Sequence, residues 1–240
     1  AALLLSSLPH AAAADENCLR KVTPAATNSN DLSWDMAEEI LTHISDPVFP
    51  AYTVNVLDYG AVPNDGKLDT AAIQRAIDDL SRKGGGTIVF EPGNYVIGTL
   101  ELRSNIELHL KSGATLLGST NPYDYIDITK EGADRSDPKK WNYLSLALIE
   151  AYQAKNIKLT GEGNIDELAL AIDSLHKAGV RPDPNYFDRL NRPREAMRPN
   201  LFTINACDGI EVSGLHLRNG ACWGLVFFQC KNLLIERVDV

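Results

Sequence analysis

The sequence predicts an all-β fold, a right-handed parallel β-helix with an N-terminal capping α-helix and a cut-short C-terminal end. Three observations carry this. Short alternating apolar segments recur with Gly and Asn at their corners. The last two copies superpose without a gap, Cys207 on Cys230, Ile210 on Leu233, Val212 on Ile235 and Leu215 on Val238, at an offset of 23 residues. An amphipathic helix precedes the first copies. A fixed period in this range marks a stacked repeat. Several short strands per repeat without an internal helix point to coils that bury alternate side chains and stack through backbone hydrogen bonds. A β-sandwich also spaces strands regularly, but it does not require equivalent side chains to recur at one offset.

Taken in order, residues 1–14 read as the remnant of a secretory signal peptide. An apolar run ends at Ser6 and Pro9, and Ala11 to Ala14 offer an A-x-A cleavage site. The run is too short to span a bilayer, and no other segment is long and apolar enough. A secreted or periplasmic location follows as the expectation. Residues 15–50 form an N-terminal segment with a short helix over 31–44, whose apolar positions are Trp34, Ala37, Ile40, Leu41 and Ile44, with Ser33 as a cap. Pro47 and Pro50 end it, and 52–57 alternates as a strand.

Residues 51–103 hold the approach to the coils and the capping helix. Asn64-Asp65-Gly66 signals a turn. Asp69 is placed to cap a helix with Ala72, Ile73, Ala76, Ile77 and Leu80 on one face, stopped by Gly84 to Gly86. A terminal coil exposes unpaired backbone and apolar surface, so such a cover is needed. Strands follow at 87–90 and 95–97, separated by Pro92-Gly93. Residues 104–240 are coils, interrupted by an insertion at 167–196 of about one and a third coils. Long insertions in compact domains are more often functional than neutral. Nothing caps the last coil, so the chain is expected to lack further coils.

The 240 residues carry a net charge of −9, with 44% hydrophobic and 23% charged residues. That composition suits an ordinary globular protein. The acidic balance excludes a general nucleic-acid binder. Four cysteines are too few for a disulfide scaffold, and none form a C-x-x-C pair. Cys207 and Cys230 stack one above the other. Strand spacing exceeds the separation that a disulfide prefers, so thiols rather than a bridge are expected. His109 and His216 fall at outward positions. Gly161-x-Gly163 turns a corner with no helix after it, which excludes a dinucleotide loop.

Several stretches are familiar in combination. Residues 58–61 (DYGA), 64–66 (NDG), 69–77 (DTAAIQRAI) and 84–95 (GGGTIVFEPGNY) resemble the start of the pectin-lyase-like β-helix superfamily. Residues 104–119 (SNIELHLKSGATLLGS), 161–166 (GEGNID), 198–202 (RPNLF) and 219–223 (NGACW) are similar to glycoside hydrolase family 28, the polygalacturonases. The resemblance covers residues 31–240 and implies inverting hydrolysis of a pectic polysaccharide or oligogalacturonide by a monomer, with no cofactor, metal, nucleic acid or membrane partner. It brings no catalytic residue. The family's Asn-Thr-Asp, Gly-His-Gly and Arg-Ile-Lys signatures are absent from this sequence, and its one Asp-Asp, Asp78-Asp79, lies on the capping helix. A polysaccharide lyase, a uronan epimerase and a non-catalytic adhesin share the fold and stand as alternatives.

Within 181–198, Arg181, Arg189, Arg192, Arg194 and Arg198 concentrate positive charge in an acidic chain, against Asp183, Asp188 and Glu195. The guanidinium fork suits the carboxylates of a uronate sugar. A solvated loop with internal ion pairs is the plainer reading. Arg198, Arg192 and Arg194 are the substrate-binding candidates, Arg198 first because it adjoins a coil. Trp223 either stacks on a sugar ring or packs between a turn and its neighbour.

Overall fold

A computed structural model describes residues 35–43, 47–121, 124–125, 146–167 and 198–240. The chain divides into two compact units, 1–43 and 44–240. In the first, the described residues form helix α1, Asp35–His43. It lies within the span the periodicity marks, and Ile40 and Leu41 are exposed. The proposed cap Ser33, with Trp34 and Ile44, lies outside the described residues.

The second unit is a three-sided stack of parallel strands. The first wall is ordered β1 (Thr53–Asn55), β2 (Gly86–Phe90), β5 (Ile106–Leu110), β8 (Lys155–Gly161), β11 (Asp208–Ser213) and β14 (Lys231–Glu236). The second is β3 (Gly93–Ile97), β6 (Ala114–Gly118), β9 (Asn164–Asp166) and β12 (His216–Arg218). The third is β4 (Leu100–Glu101), β7 (Ala147–Tyr152), β10 (Asn200–Asn205) and β13 (Leu225–Phe228). Every pair is parallel, and each circuit visits the walls in that order. The register of Ile210 on Leu233 and Val212 on Ile235 is the one the repeat predicts.

The core is the set of inward columns. Ile88, Leu108, Leu159 and Val212 stack in register along the first wall, each with 1% exposure or less. Leu100, Ile149 and Phe202 do the same along the third. Alternation follows from the strand period of two. Cys207 and Cys230 continue one column as free thiols. Burial pushes the Cys207 thiol up to about 11, so it behaves as a small apolar group.

Helix α2, Thr70–Arg82, covers the first coil and buries Ala72, Ile73, Ala76, Ile77 and Leu80, the face its periodicity marks. It also completes the open strand edge. The Gln74 amide donates to the Glu101 carbonyl (3.0 Å) and accepts from the Glu101 N–H (3.0 Å), standing in for a neighbouring strand on β4. Thr70 Oγ1 accepts from Gly98 N at 2.8 Å. Two local expectations fail. Residues 52–57 do not run as one strand: after β1 the chain tightens into a 3-10 turn, Val56–Tyr59, because the Asn55 side chain accepts from Leu57 N. Asp69 makes no side-chain cap. Its Oδ1 accepts instead from Val62 N (2.8 Å), tying the preceding loop to the helix start, while its backbone oxygen takes the first helical N–H groups.

Candidate functional site: the looped edge

The three corners of the stack differ. Between the third and first walls the chain turns tightly. Between the second and third walls it leaves the coils twice at length. It departs after β6 and rejoins at β7, and departs after β9 and rejoins at β10. Both excursions therefore leave from the same edge, and in the next coil residues 219–224 cross it directly. The second excursion contains the insertion recognised in the sequence. The first was missed, although the register carries its trace: Gly86 pairs with Ile106, 20 residues on, whereas Ile106 pairs with Ile157, 51 residues on. Loops gathered on one edge of a rigid scaffold are where binding residues concentrate.

Arg198 sits half-buried at this edge, two residues before β10 begins. Its Nε is buried and has no hydrogen-bond partner among the described residues. Trp223 lies in the crossing of the next coil with 58% of its surface exposed. It belongs to the last coil of the sequence, where Phe228 (59%) and Ile235 (41%) are exposed as well, so its exposure does not separate sugar stacking from packing between turns. Asn200 ties the crossing to the coil below: its Oδ1 accepts from Trp223 N at 3.0 Å, while its Nδ2 donates to Thr203 Oγ1 at 3.1 Å. Arg192 and Arg194 lie outside the described residues, as do Arg181 and Arg189.

Two acids at the end of the second wall complete the arrangement. Asp166 accepts from Asn219 Nδ2 with both oxygens (2.9 and 3.1 Å). Glu167 has no exposed surface, and its Oε2 accepts from Ala221 N at 2.8 Å while Oε1 has no partner. Desolvation, reinforced by Asp166, pushes the Glu167 carboxyl up to about 8, so it is mostly protonated at neutral pH. Beside it, the hydroxyl of buried Tyr125 donates to the Ser119 carbonyl (2.8 Å), and burial together with Glu167 raises it well above the usual phenol range. Gly118 makes room for this pair: a Cβ there would stand 2.8 Å from Tyr125 Oη and 3.0 Å from Glu167 Cα. On the outward side of the third wall, Glu150 is buried to 1% exposure and accepts from Ala147 N at 2.9 Å, in register with Thr203.

The edge thus gathers an indole and a half-buried guanidinium beside carboxyls held by a side-chain amide and a backbone N–H. That set can stack on a sugar ring and pair with an anionic substituent. Glu167 is too enclosed to reach a glycosidic oxygen, so no catalytic role is assigned to it. Asn200, Asp166 and Glu167 escaped the sequence reading because each looks like an ordinary strand-end polar residue. Their positions in register beneath residues 219–223 are the only signal.

A second concavity, about 620 Å³, follows the corner between the first and second walls and is lined by His109, Lys111, Glu162 and Arg237 over Gly161 and Gly214. Lys111 is paired with Glu91 (2.6 Å) and Arg237 with Glu236 (2.6 Å). His109 and His216 both point outward, as their strand positions predict, and bond Thr160 and Asp239 respectively.

Comparison with known proteins agrees with this architecture. The family described as rhamnogalacturonase A/epimerase, pectate lyase-like, matches residues 53–137. The exopolygalacturonase of Thermotoga maritima superposes with a TM-score of 0.64 at 22% identity, over 87% of this chain and 51% of that one. The fold is the right-handed parallel β-helix of the pectin-lyase-like superfamily. Two further likenesses narrow it. The exo-poly-α-D-galacturonosidase of Dickeya chrysanthemi is 38% identical over 215 residues, covering 77% of this chain and 35% of that protein. The family 28 exopolygalacturonase of Yersinia enterocolitica gives a TM-score of 0.57 at 27% identity, over 79% of this chain and 39% of that one. The chain is of the glycoside hydrolase family 28 type and spans little more than a third of the length of that first relative.

Proposed function

We propose that the chain is the part of a secreted or periplasmic glycoside hydrolase that holds a pectic polysaccharide, with hydrolysis proceeding by inversion in the complete protein. The likeness to an exo-poly-α-D-galacturonosidase, at 38% identity over 215 aligned residues, carries this reading. The exposed Trp223 and the unpaired Nε of Arg198 on one edge support it. Inversion needs one protonated carboxyl to assist the leaving oxygen and one carboxylate to activate water on the opposite sugar face. Coils suit that chemistry, because carboxylates on successive rungs are held rigidly ~4.8 Å apart or at multiples of it. The described residues here are assigned to binding, not to either carboxyl.

The test is product analysis with the full-length protein and polygalacturonate. A hydrolase releases reducing ends without an unsaturated, ultraviolet-absorbing product, and the anomeric configuration of the first product reports inversion. An unsaturated product favours the lyase reading, a changed uronate without chain cleavage favours the epimerase, and binding with no chemistry favours the adhesin. The 240-residue chain alone, which carries none of the family's catalytic signatures, is expected to release neither product.

A further inference from the structure

We infer that Glu167 is a positioning residue for sugar binding: with Asp166 and Asn200 it clamps residues 219–223 from the coil below, so that the Trp223 indole is held out in one fixed pose. The inference rests on the reading of Trp223 as a sugar-contacting residue.

The geometry is regular. Alternate residues of the crossing are each held by a side chain of the preceding coil: Asn219 by Asp166, the Ala221 N–H by Glu167 and the Trp223 N–H by Asn200. The crossing needs such help. Gly220, Ala221 and Gly224 offer almost no side chain to pack, and glycine leaves the backbone its widest freedom. Glu167 and Asn200 are both wholly enclosed, so water cannot substitute for either, and Glu167 is the one that carries a titratable group.

Its surroundings favour the neutral carboxyl. The groups facing it are Tyr125 and Asp166, with Asp124 beyond the tyrosine. Arg218 contributes only its backbone oxygen, which accepts from Glu167 N at 3.2 Å, while its guanidinium pairs with Asp239. Among the described residues no cation neutralises Glu167. With the proton on Oε1, Oε2 remains the acceptor for Ala221. Once the proton leaves, an unpaired charge is enclosed, and the crossing opens to hydrate it.

The experiment uses the full-length protein with Trp34 and Trp141 replaced by Phe, so that Trp223 reports within the described region. Glu167→Ala is expected to raise acrylamide quenching of Trp223 and to weaken oligogalacturonate binding by about tenfold, in KM rather than kcat, the scale of a lost ring contact. Glu167→Gln keeps an acceptor for Ala221 and is expected to match the parent at pH 6. Above pH 8 the parent loses affinity and Glu167→Gln does not. In combination with Trp223→Ala, Glu167→Ala adds no further loss, the signature of one coupled unit. Glu167→Ala quenching equal to the parent's, or Glu167→Gln as weak as Glu167→Ala at pH 6, overturns the clamp. Unchanged affinity in Trp223→Ala instead sinks the sugar-contact reading while the quenching result still judges the clamp.

Discussion

The tight corner between the third and first walls and the looped edge between the second and third solve the same problem by opposite means. At the tight corner the backbone conformation repeats. Asn105, Asn156, Gly209 and Asn232 occupy one column and Gln153, Ala206 and Gln229 another, all with φ between +51° and +75°. That left-handed region is open to Gly and tolerated by Asn. Asn156 Nδ2 donates to Asn105 Oδ1 (2.9 Å), linking one rung to the next, and Gly209 stands where a Cβ would lie 3.0 Å from Asn156 Oδ1. At the looped edge the described crossing, residues 219–224, is held differently. The path of the chain is set by carboxyls and amides reaching up from the coil below. A corner built on backbone preference can be copied at every rung, whereas an edge built on individual side chains can vary at each and so accommodate a ligand.

The sharpest way to break this contrast is to damage the shared core. Leu159→Ala, in the middle of an inward column, should cost about 2–5 kcal/mol through lost burial and an unfilled cavity. Denaturant unfolding should show it as a single earlier transition, with binding unchanged wherever the protein remains folded. A change in sugar affinity without a change in stability would contradict the assignment of that column to the scaffold.

Next comes the pH dependence of the edge. Glu167 has a folded value of about 8 against an ordinary 4.5. The folded state therefore holds this proton more tightly than the unfolded chain does. The stability tied to it is complete below about pH 4.5 and is lost as pH rises through 8, with a total on the order of a few kcal/mol. Thermal unfolding of the wild type between pH 5 and 9 should decline more steeply than that of Glu167→Gln. Parallel profiles would show that the carboxyl is solvated after all.

Asn156→Ala tests the tight corner. It leaves a methyl side chain in a left-handed position that Asn tolerates better than Ala, and removes the rung-to-rung amide bond, for about 1–2 kcal/mol. Asn156→Gly should cost less, because only the bond is lost. Equal losses would mean that the ladder bond, not the backbone conformation, fixes the corner. Trp223→Ala should be the mildest for stability, within about 0.5 kcal/mol as expected of an exposed side chain. Its effect should appear in binding alone, and calorimetric unfolding beside a titration with oligogalacturonate separates the two.

Much of the first comparison was already legible in the amino acids. The column of Cys207 and Cys230, the 23-residue register and the buried face of α2 are local or periodic features, and each was read from spacing alone. The entry of a single polar side chain into an unusual partnership was not. Asp69 looked like a helix cap because Asp at that position usually is one, yet its carboxylate bonds Val62. Gln74 lies off the apolar face of α2, and only the structure shows that it completes a strand edge. The excursion after β6 carries a loop composition, residues 119–142 being rich in Asp, Asn, Pro and Lys, but composition alone does not say that it interrupts a coil. Only the length between paired strands does.

What the sequence determined by itself is the repeating part: alternation, corner residues and a capping helix specify parallel coils, because those preferences act between near neighbours and recur at every turn. The tertiary structure alone decided that two long excursions and a crossing loop share one edge, and that Asp166, Glu167 and Asn200 grip that loop. Those contacts join residues about 20 to 50 positions apart, and only stacking one coil on another brings their atoms within hydrogen-bonding reach.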